Sequence, residues 1–214
     1  VLVATTTKIF KPAKPHVHKL FLALELDALL NQLTQIKEPI IVGVGSELNG
    51  EGKLVGLPLD WFGLLQEKSG MDWILTEADG AAMKPFKVPA EHEPVVPEEC
   101  DLTVWVMGIK VLGQPLTPDW VHRAERAAAL LGVEPGIPVT DDLILRLVEN
   151  PQGCLKGIPP KSRKVALINQ ADSPEEVKKA SELGRGLIKC GLERVVVTSY
   201  LQKDAVKEVI TSSQ

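Results

Sequence analysis

Residues 76–97 read TEADGAAMKPFKVPAEHEPVVP, and they continue the apolar run DWILTE at 72–77. The run has the length and composition of a strand. The segment after it holds four prolines, two lysines, a histidine and several acids. It follows neither the helical nor the strand period, so it reads as loop. A buried strand that ends in acids and a glycine predicts a particular fold. In α/β proteins, ligands sit beyond the carboxyl ends of parallel strands.

Working outward, the same alternation recurs. VLVATTT at 1–7 is a β-branched strand, and KIFKPAKPH reads as loop. Residues 20–33, LFLALELDALLNQL, fit either a strand running into a helix or one helix. PIIVGVG is a strand, SELNGEG a turn with an Asn-Gly pair, and KLVGL a possible hairpin return. PLDWFGLLQEKSG reads as a helix and DLTVWVMGI as a fully apolar strand. TPDWVHRAERAAALLGV predicts one helix, with Pro118 and Asp119 in its first turn and Gly132 as its stop. VTDDLILRLVENPQG predicts another, capped by Thr140. KVALINQAD is a strand with a polar tip. SPEEVKKASELGRGLIKCG is a helix opened by Ser173 and Pro174, ERVVVTSY a last strand, and the tail helical or frayed. Strands alternating with helices predict an α/β fold with a mainly parallel sheet and helices on both faces.

The composition excludes several classes. The chain has 214 residues, 44% hydrophobic and 24% charged, as in ordinary globular domains. A net charge of −4 and 4% aromatic content argue against a nucleic-acid partner. No apolar run spans a bilayer and no secretory signal is visible, which argues against a membrane partner. Cys100, Cys154 and Cys190 are odd in number and far apart, which suggests reduced thiols in the cytoplasm.

Three strand ends carry the candidate chemistry. At TEADG, Asp79 could hold Mg²⁺ directly or through water, with Glu77 on the same strand face and Gly80 leaving room for phosphate. The competing reading is a plain Asp-Gly turn. At Thr5, Thr6, Thr7 and Lys8, hydroxyls and one ammonium suit phosphate or magnesium-bound water. The competing reading is β-propensity followed by a solvated lysine. At NQAD, Asn169 and Asp172 stand where guanine-binding proteins carry Asn-Lys-x-Asp, with Gln170 in the lysine position. The competing reading is that Asp172 or Ser173 caps the next helix. Lys84 could reach an anionic group, and His92 with Glu93 could supply a proton acceptor or a cofactor contact. His16 and His18 read as solvent-facing, and His122 as lying at the edge of a helix. No GxSxG, HExxH or GxxxxGK[ST] sequence occurs.

In order, VLVATTTKIF, EADGAAMKPFKVPAEHEPVVP, VHRAE, PQGCLKGIPP and LINQAD resemble the YqeC family from residue 1 to about residue 200. The family is described as accessory proteins of selenium-dependent hydroxylases and resembles P-loop nucleotide-binding proteins. The resemblance implies a P-loop NTPase-like three-layer sandwich, with residues 1–214 as one nucleotide-binding-like domain. It also implies an upstream strand and Gly-rich Lys-Thr phosphate loop before Val1. It implies a maturation factor for a selenium- and molybdenum-containing hydroxylase, using Mg²⁺ and ATP or GTP as an NTPase. Two other classes remain open. One is a non-hydrolysing scaffold or chaperone that binds the apo-hydroxylase or its molybdopterin cofactor. The other is an ATP-dependent ligase or phosphotransferase.

Overall fold

The computed structural model describes residues 1–13 and 15–212. The chain forms two compact units, one of Val1–Gly80 with Pro94–Glu99 and the other of Ala81–Glu93 with Cys100–Gln214. The fold is α/β, as the alternation predicts, but the sheets are mixed, with several strand pairings parallel and others antiparallel.

The first unit contains β1 (Leu2–Thr5), β2 (Lys8–Phe10), β3 (Lys19–Leu22), α1 (Leu26–Thr34), β4 (Val42–Gly45), β5 (Lys53–Val55), α2 (Trp61–Lys68) and β6 (Ile74–Glu77). Its main sheet has the order β3-β4-β1-β6, with every pairing parallel. Residues 20–33 therefore take the strand-then-helix alternative. Alternation decides which strand residues meet the helices: Leu2, Ala4, Val42 and Val44 are buried with Leu29 and Leu33 of α1 and Phe62 and Leu65 of α2. KIF is not loop. Its proline neighbour, Pro12, falls beyond the strand, so β2 keeps its N–H donors and pairs antiparallel with β5. The Asn-Gly turn does return the chain, with Val55 N donating to Glu47 O at 2.9 Å.

The second unit contains β7 (Phe86–Lys87), β8 (Leu102–Gly108), a 3₁₀ turn (Ile109–Val111), β9 (Val121–His122), α3 (Ala124–Leu131), α4 (Asp141–Glu149), β10 (Arg163–Asn169), α5 (Pro174–Lys189), β11 (Arg194–Thr198) and β12 (Val206–Thr211). Its sheet has the order β12-β11-β10-β8; β8, β10 and β11 run parallel, and β12 is antiparallel to β11. The tail is thus a strand, not a helix, because Val206–Thr211 alternates sides and finds an open sheet edge. Met107, Ala166, Ile168, Val195 and Val197 face a core closed by Leu183 and Leu187 of α5 and Ile144 and Leu147 of α4. The alternate residues of β8, Leu102, Val104 and Val106, are exposed. Among the described residues, then, helices do not cover both faces of this sheet, as the uniformly apolar sequence of β8 had predicted.

The expected helix over TPDWVHRAERAAALLGV is shorter. Val121 and His122 pair with β7, and Arg123 takes a left-handed φ of 63° before α3 begins. Gly132 does stop the helix, with φ 64° and its N–H on Ala128 and Ala129 carbonyls. Thr140 caps α4 by accepting from Leu143 N. Ser173 and Glu176 form a reciprocal capping box at α5. Ser173→Ala should lower stability by about 1 kcal/mol, read as a lower urea midpoint at unchanged slope.

Candidate functional site

In the first unit, Thr5 and Glu77 are register partners at the carboxyl ends of the adjacent parallel strands β1 and β6. Asp79 and Gly80 leave that edge two and three residues later. The threonines divide by burial. Thr5 is fully buried; its hydroxyl lies 3.1 Å from Glu77 O and 3.2 Å from Thr7 Oγ1, and it accepts from Thr7 N at 3.0 Å. Thr6 donates its hydroxyl to Val95 O at 2.6 Å, and Val95 N donates back to Ala78 O at 3.1 Å. Thr5 and Thr6 therefore brace the edge from inside. Thr7 is half-buried and Lys8 exposed.

Backbone packing here is tight. A Cβ on Gly56 would lie 2.4 Å from Thr6 C, while Leu57 N donates to Thr5 O at 2.8 Å. Only glycine lets that chain run beside the threonine turn. At Gly80 the opposite holds: a Cβ would meet only Glu77 Oε1, at an ordinary 3.4 Å.

The donor set at this edge is hard oxygen: two carboxylates, Glu77 and Asp79, and the Thr7 hydroxyl. That suits Mg²⁺, which is commonly held by one or two carboxylates with water and phosphate oxygens. Among the described residues, no group of three or more His, Cys, Asp or Glu is placed to hold a metal. The chemistry of a hydrated, two-carboxylate Mg²⁺ site fits; an all-protein cage does not.

The proline-rich segment is shared between the two units. Residues 94–99 belong to the first unit and residues 81–93 to the second. Ala82 and Met83 take consecutive left-handed φ values of 49° and 60°, and Met83 is 95% exposed. Lys84, half-buried, turns back through its N–H to Ala81 O at 2.9 Å. Glu93 lies inside an ion cluster. Its Oε2 is 2.9 Å from Lys87 Nζ and 2.6 Å from Arg123 Nη1, its Oε1 accepts from Arg123 Nη2 at 3.1 Å, and Ala90 N donates to Oε2 at 3.1 Å. Burial works to raise the Glu93 pKa, but these donors and the Lys87 charge hold it down at about 2. The cluster explains the left-handed Arg123: the kink carries the guanidinium onto Glu93. His92 is exposed at 3.9 Å from the same carboxylate. Lys156 holds this turn through the Ala90 and Glu91 carbonyls. Glu93 thus ties Lys87 to Arg123 from a largely enclosed position. Nothing in the sequence linked Lys87, Glu93 and Arg123 beyond their charges. His18, read as solvent-facing, accepts from Ile41 N through Nδ1 at 3.0 Å.

At the carboxyl edge of the second sheet, Ser173 takes the cap, which leaves Asp172 for another role. Asp172 Oδ2 accepts from Lys110 Nζ at 2.6 Å and Oδ1 from Ser199 Oγ at 2.7 Å. Gln202 Nε2 donates to Asp172 O at 2.6 Å. Asn169 Oδ1 accepts from Thr198 Oγ1 at 3.2 Å, and Ala171 N donates to Thr198 O at 3.0 Å. Hydrogen bonds from Lys110 and Ser199 lower the Asp172 pKa, and the Asp172 contact raises that of Lys110. Gln170 has a left-handed φ of 65°. Its Oε1 would lie 2.1 Å from a Cβ on Gly108, so a side chain at 108 would displace the Gln170 amide. Lys110, Ser199 and Gln202 were missed in the sequence. Their one signal was position, since each follows a strand in the same parallel set.

Residues 1–125 match the YqeC protein family. A protein of Escherichia coli (strain K12) named "Uncharacterized protein YqeC" is 31% identical over 206 residues, covering 96% of this chain and 79% of that protein. No solved structure matches the chain. The family match takes in the threonine turn, the TEADG edge and the Lys87–Glu93–Arg123 cluster, and the relative aligns across nearly everything else. The chain belongs to the YqeC family.

Proposed function

We propose that this chain is a nucleotide-dependent accessory protein in the maturation of a selenium-dependent molybdenum hydroxylase, working in the cytoplasm with Mg²⁺ and ATP or GTP. The client follows from the family resemblance. The nucleotide reading rests on one observation, the register pairing of Thr5 with Glu77 at a parallel sheet edge that Asp79 and Gly80 then leave. The reading treats residues 1–214 as a P-loop NTPase-like domain.

In this reading Asp79 and Glu77 hold the ion through their carboxylate oxygens or through water. When bound, Mg²⁺ would neutralise phosphate charge. Thr7 and Lys8 offer a hydroxyl and an ammonium beside the same turn, and the hydrogen bonds of the buried Thr5 and half-buried Thr6 hold that turn. A Cβ at Gly80 would meet Glu77 Oε1 at 3.4 Å, so the backbone there leaves room for a ligand's approach.

Asp79→Asn tests the proposal. Removing one charge next to the ion should weaken Mg²⁺-dependent nucleotide binding about 10- to 100-fold, with an unchanged circular dichroism spectrum. Calorimetric titration with and without Mg²⁺ measures it. A mutant with wild-type Mg²⁺ dependence would remove Asp79 from the site.

A second reading, a non-hydrolysing scaffold for the apo-hydroxylase or its molybdopterin, is favoured by the exposed Leu102, Val104 and Val106 of β8. An uncharged apolar edge strand of this kind is suited to covering by another chain.

A further inference from the structure

We infer that the carboxyl edge of the second sheet recognises a flat heterocycle through its 2-amino-oxo-pyrimidine edge, the cyclic acylguanidine shared by guanine and pterins. The inference rests on the nucleotide-or-molybdopterin reading above and specifies which chemical edge is read.

Across Asp172 the groups run hydroxyl, carboxylate, ammonium: Ser199 Oγ on Oδ1 at 2.7 Å and Lys110 Nζ on Oδ2 at 2.6 Å. An ionised carboxylate has about four lone-pair sites. One on each oxygen is used, so one on each remains. The edge on offer is therefore acceptor, acceptor and then cationic donor. A cyclic acylguanidine presents the complement: an amino N–H, a ring N–H and then a carbonyl oxygen. This is the bidentate match that arginine makes with carboxylates, extended by one contact to Lys110. Adenine places a ring-nitrogen lone pair where the second N–H is needed. Hypoxanthine keeps the ring N–H and the carbonyl but lacks the amino group.

The carboxylate is also held in place before any ligand arrives. Gln202 fixes the Asp172 carbonyl at 2.6 Å, and Asn169 ties the loop to Thr198 at 3.2 Å. Such preorganisation reduces the entropy lost on binding. The Asp172 side chain is 19% exposed, so it is reachable. Tyr200 follows Ser199 in the same loop and is 67% exposed, an aromatic surface available to a ring face.

The test uses uncharged ligands, so that phosphate and Mg²⁺ play no part. Guanosine, neopterin, inosine, adenosine and xanthosine are titrated against the protein by ligand-observed NMR. Guanosine, neopterin or both should bind about 10- to 100-fold more tightly than inosine and adenosine, the factor for one or more hydrogen bonds to a charged acceptor. Guanosine alone identifies a nucleotide base as the source, and neopterin alone a pterin. Asp172→Asn should weaken guanosine by a similar factor and strengthen xanthosine, because an amide N–H then meets an oxo group where the amino group was. A gain for xanthosine also proves that the variant is folded. Equal affinity for guanosine, neopterin and inosine, an unchanged preference in folded Asp172→Asn, or no binding by any of the five overturns the inference. None of these outcomes bears on the Asp79 titration, so the two readings fail separately.

Discussion

Glu93→Gln should destabilise the protein by about 3 kcal/mol at neutral pH, the low end of the cost of removing one charge from an enclosed ion cluster. Lys87, 7% exposed at its side chain, loses the carboxylate 2.9 Å from its Nζ, and Arg123 loses the one 2.6 Å from its Nη1. Glutamine keeps the shape and one acceptor oxygen but no charge. The same residue sets a pH dependence. Its folded pKa, about 2, lies below the ordinary value of 4.5. The stabilisation is therefore complete above about pH 4.5 and is lost as pH falls through about 2. Urea midpoints of wild type and Glu93→Gln should lie far apart at pH 7 and converge towards pH 2. The difference between the two curves isolates Glu93 from Asp172, Glu175 and Glu193, whose pKa values are also lowered. Curves that stay parallel down to pH 2 would show that the cluster contributes nothing through Glu93 ionisation.

Phe86→Ala should cost about 3–5 kcal/mol, the range for deleting a buried aromatic ring. Phe86 is 1% exposed and meets Trp105 edge-to-face at 6.0 Å between ring centroids. It also holds the two-residue strand β7 against Val121, which places Lys87 one residue on. The ring and the ion cluster share this anchor. The double variant with Glu93→Gln should therefore fall short of additivity by more than about 0.5 kcal/mol. Additive losses would mean that β7 keeps its place without the ring.

The reach of the sequence can be judged element by element. KVALINQAD and SPEEVKKASELGRGLIKCG were legible as strand and helix because their signals are local: a run of apolar residues, a Ser-x-x-Glu box, and proline at the first turn. TPDWVHRAERAAALLGV misled because Pro118 and Asp119 also suit a tight turn. Pairing of Val121 with Phe86, 35 residues away, decided the matter. The tail was unreadable for a similar reason. VKEVIT alternates over only six residues and becomes a strand because β11 has a free edge.

For the candidate sites, the sequence alone determined which residue types end each strand: Thr5 to Lys8 after β1, Glu77 to Gly80 after β6, and Asn169 to Asp172 after β10. It determined this because strand length, helix caps and glycine stops depend on neighbours within about four residues. Only the tertiary structure decided which of those polar groups turn inward. It buried Thr5 and spent its hydroxyl on Glu77, and it closed Glu93 between Lys87 and Arg123. It also brought Lys110 and Ser199 to Asp172 across 62 and 27 residues of chain. The physical reason is range. A carboxylate must find donors wherever packing brings them, and register across parallel strands, which no local pattern specifies, decides which donors arrive.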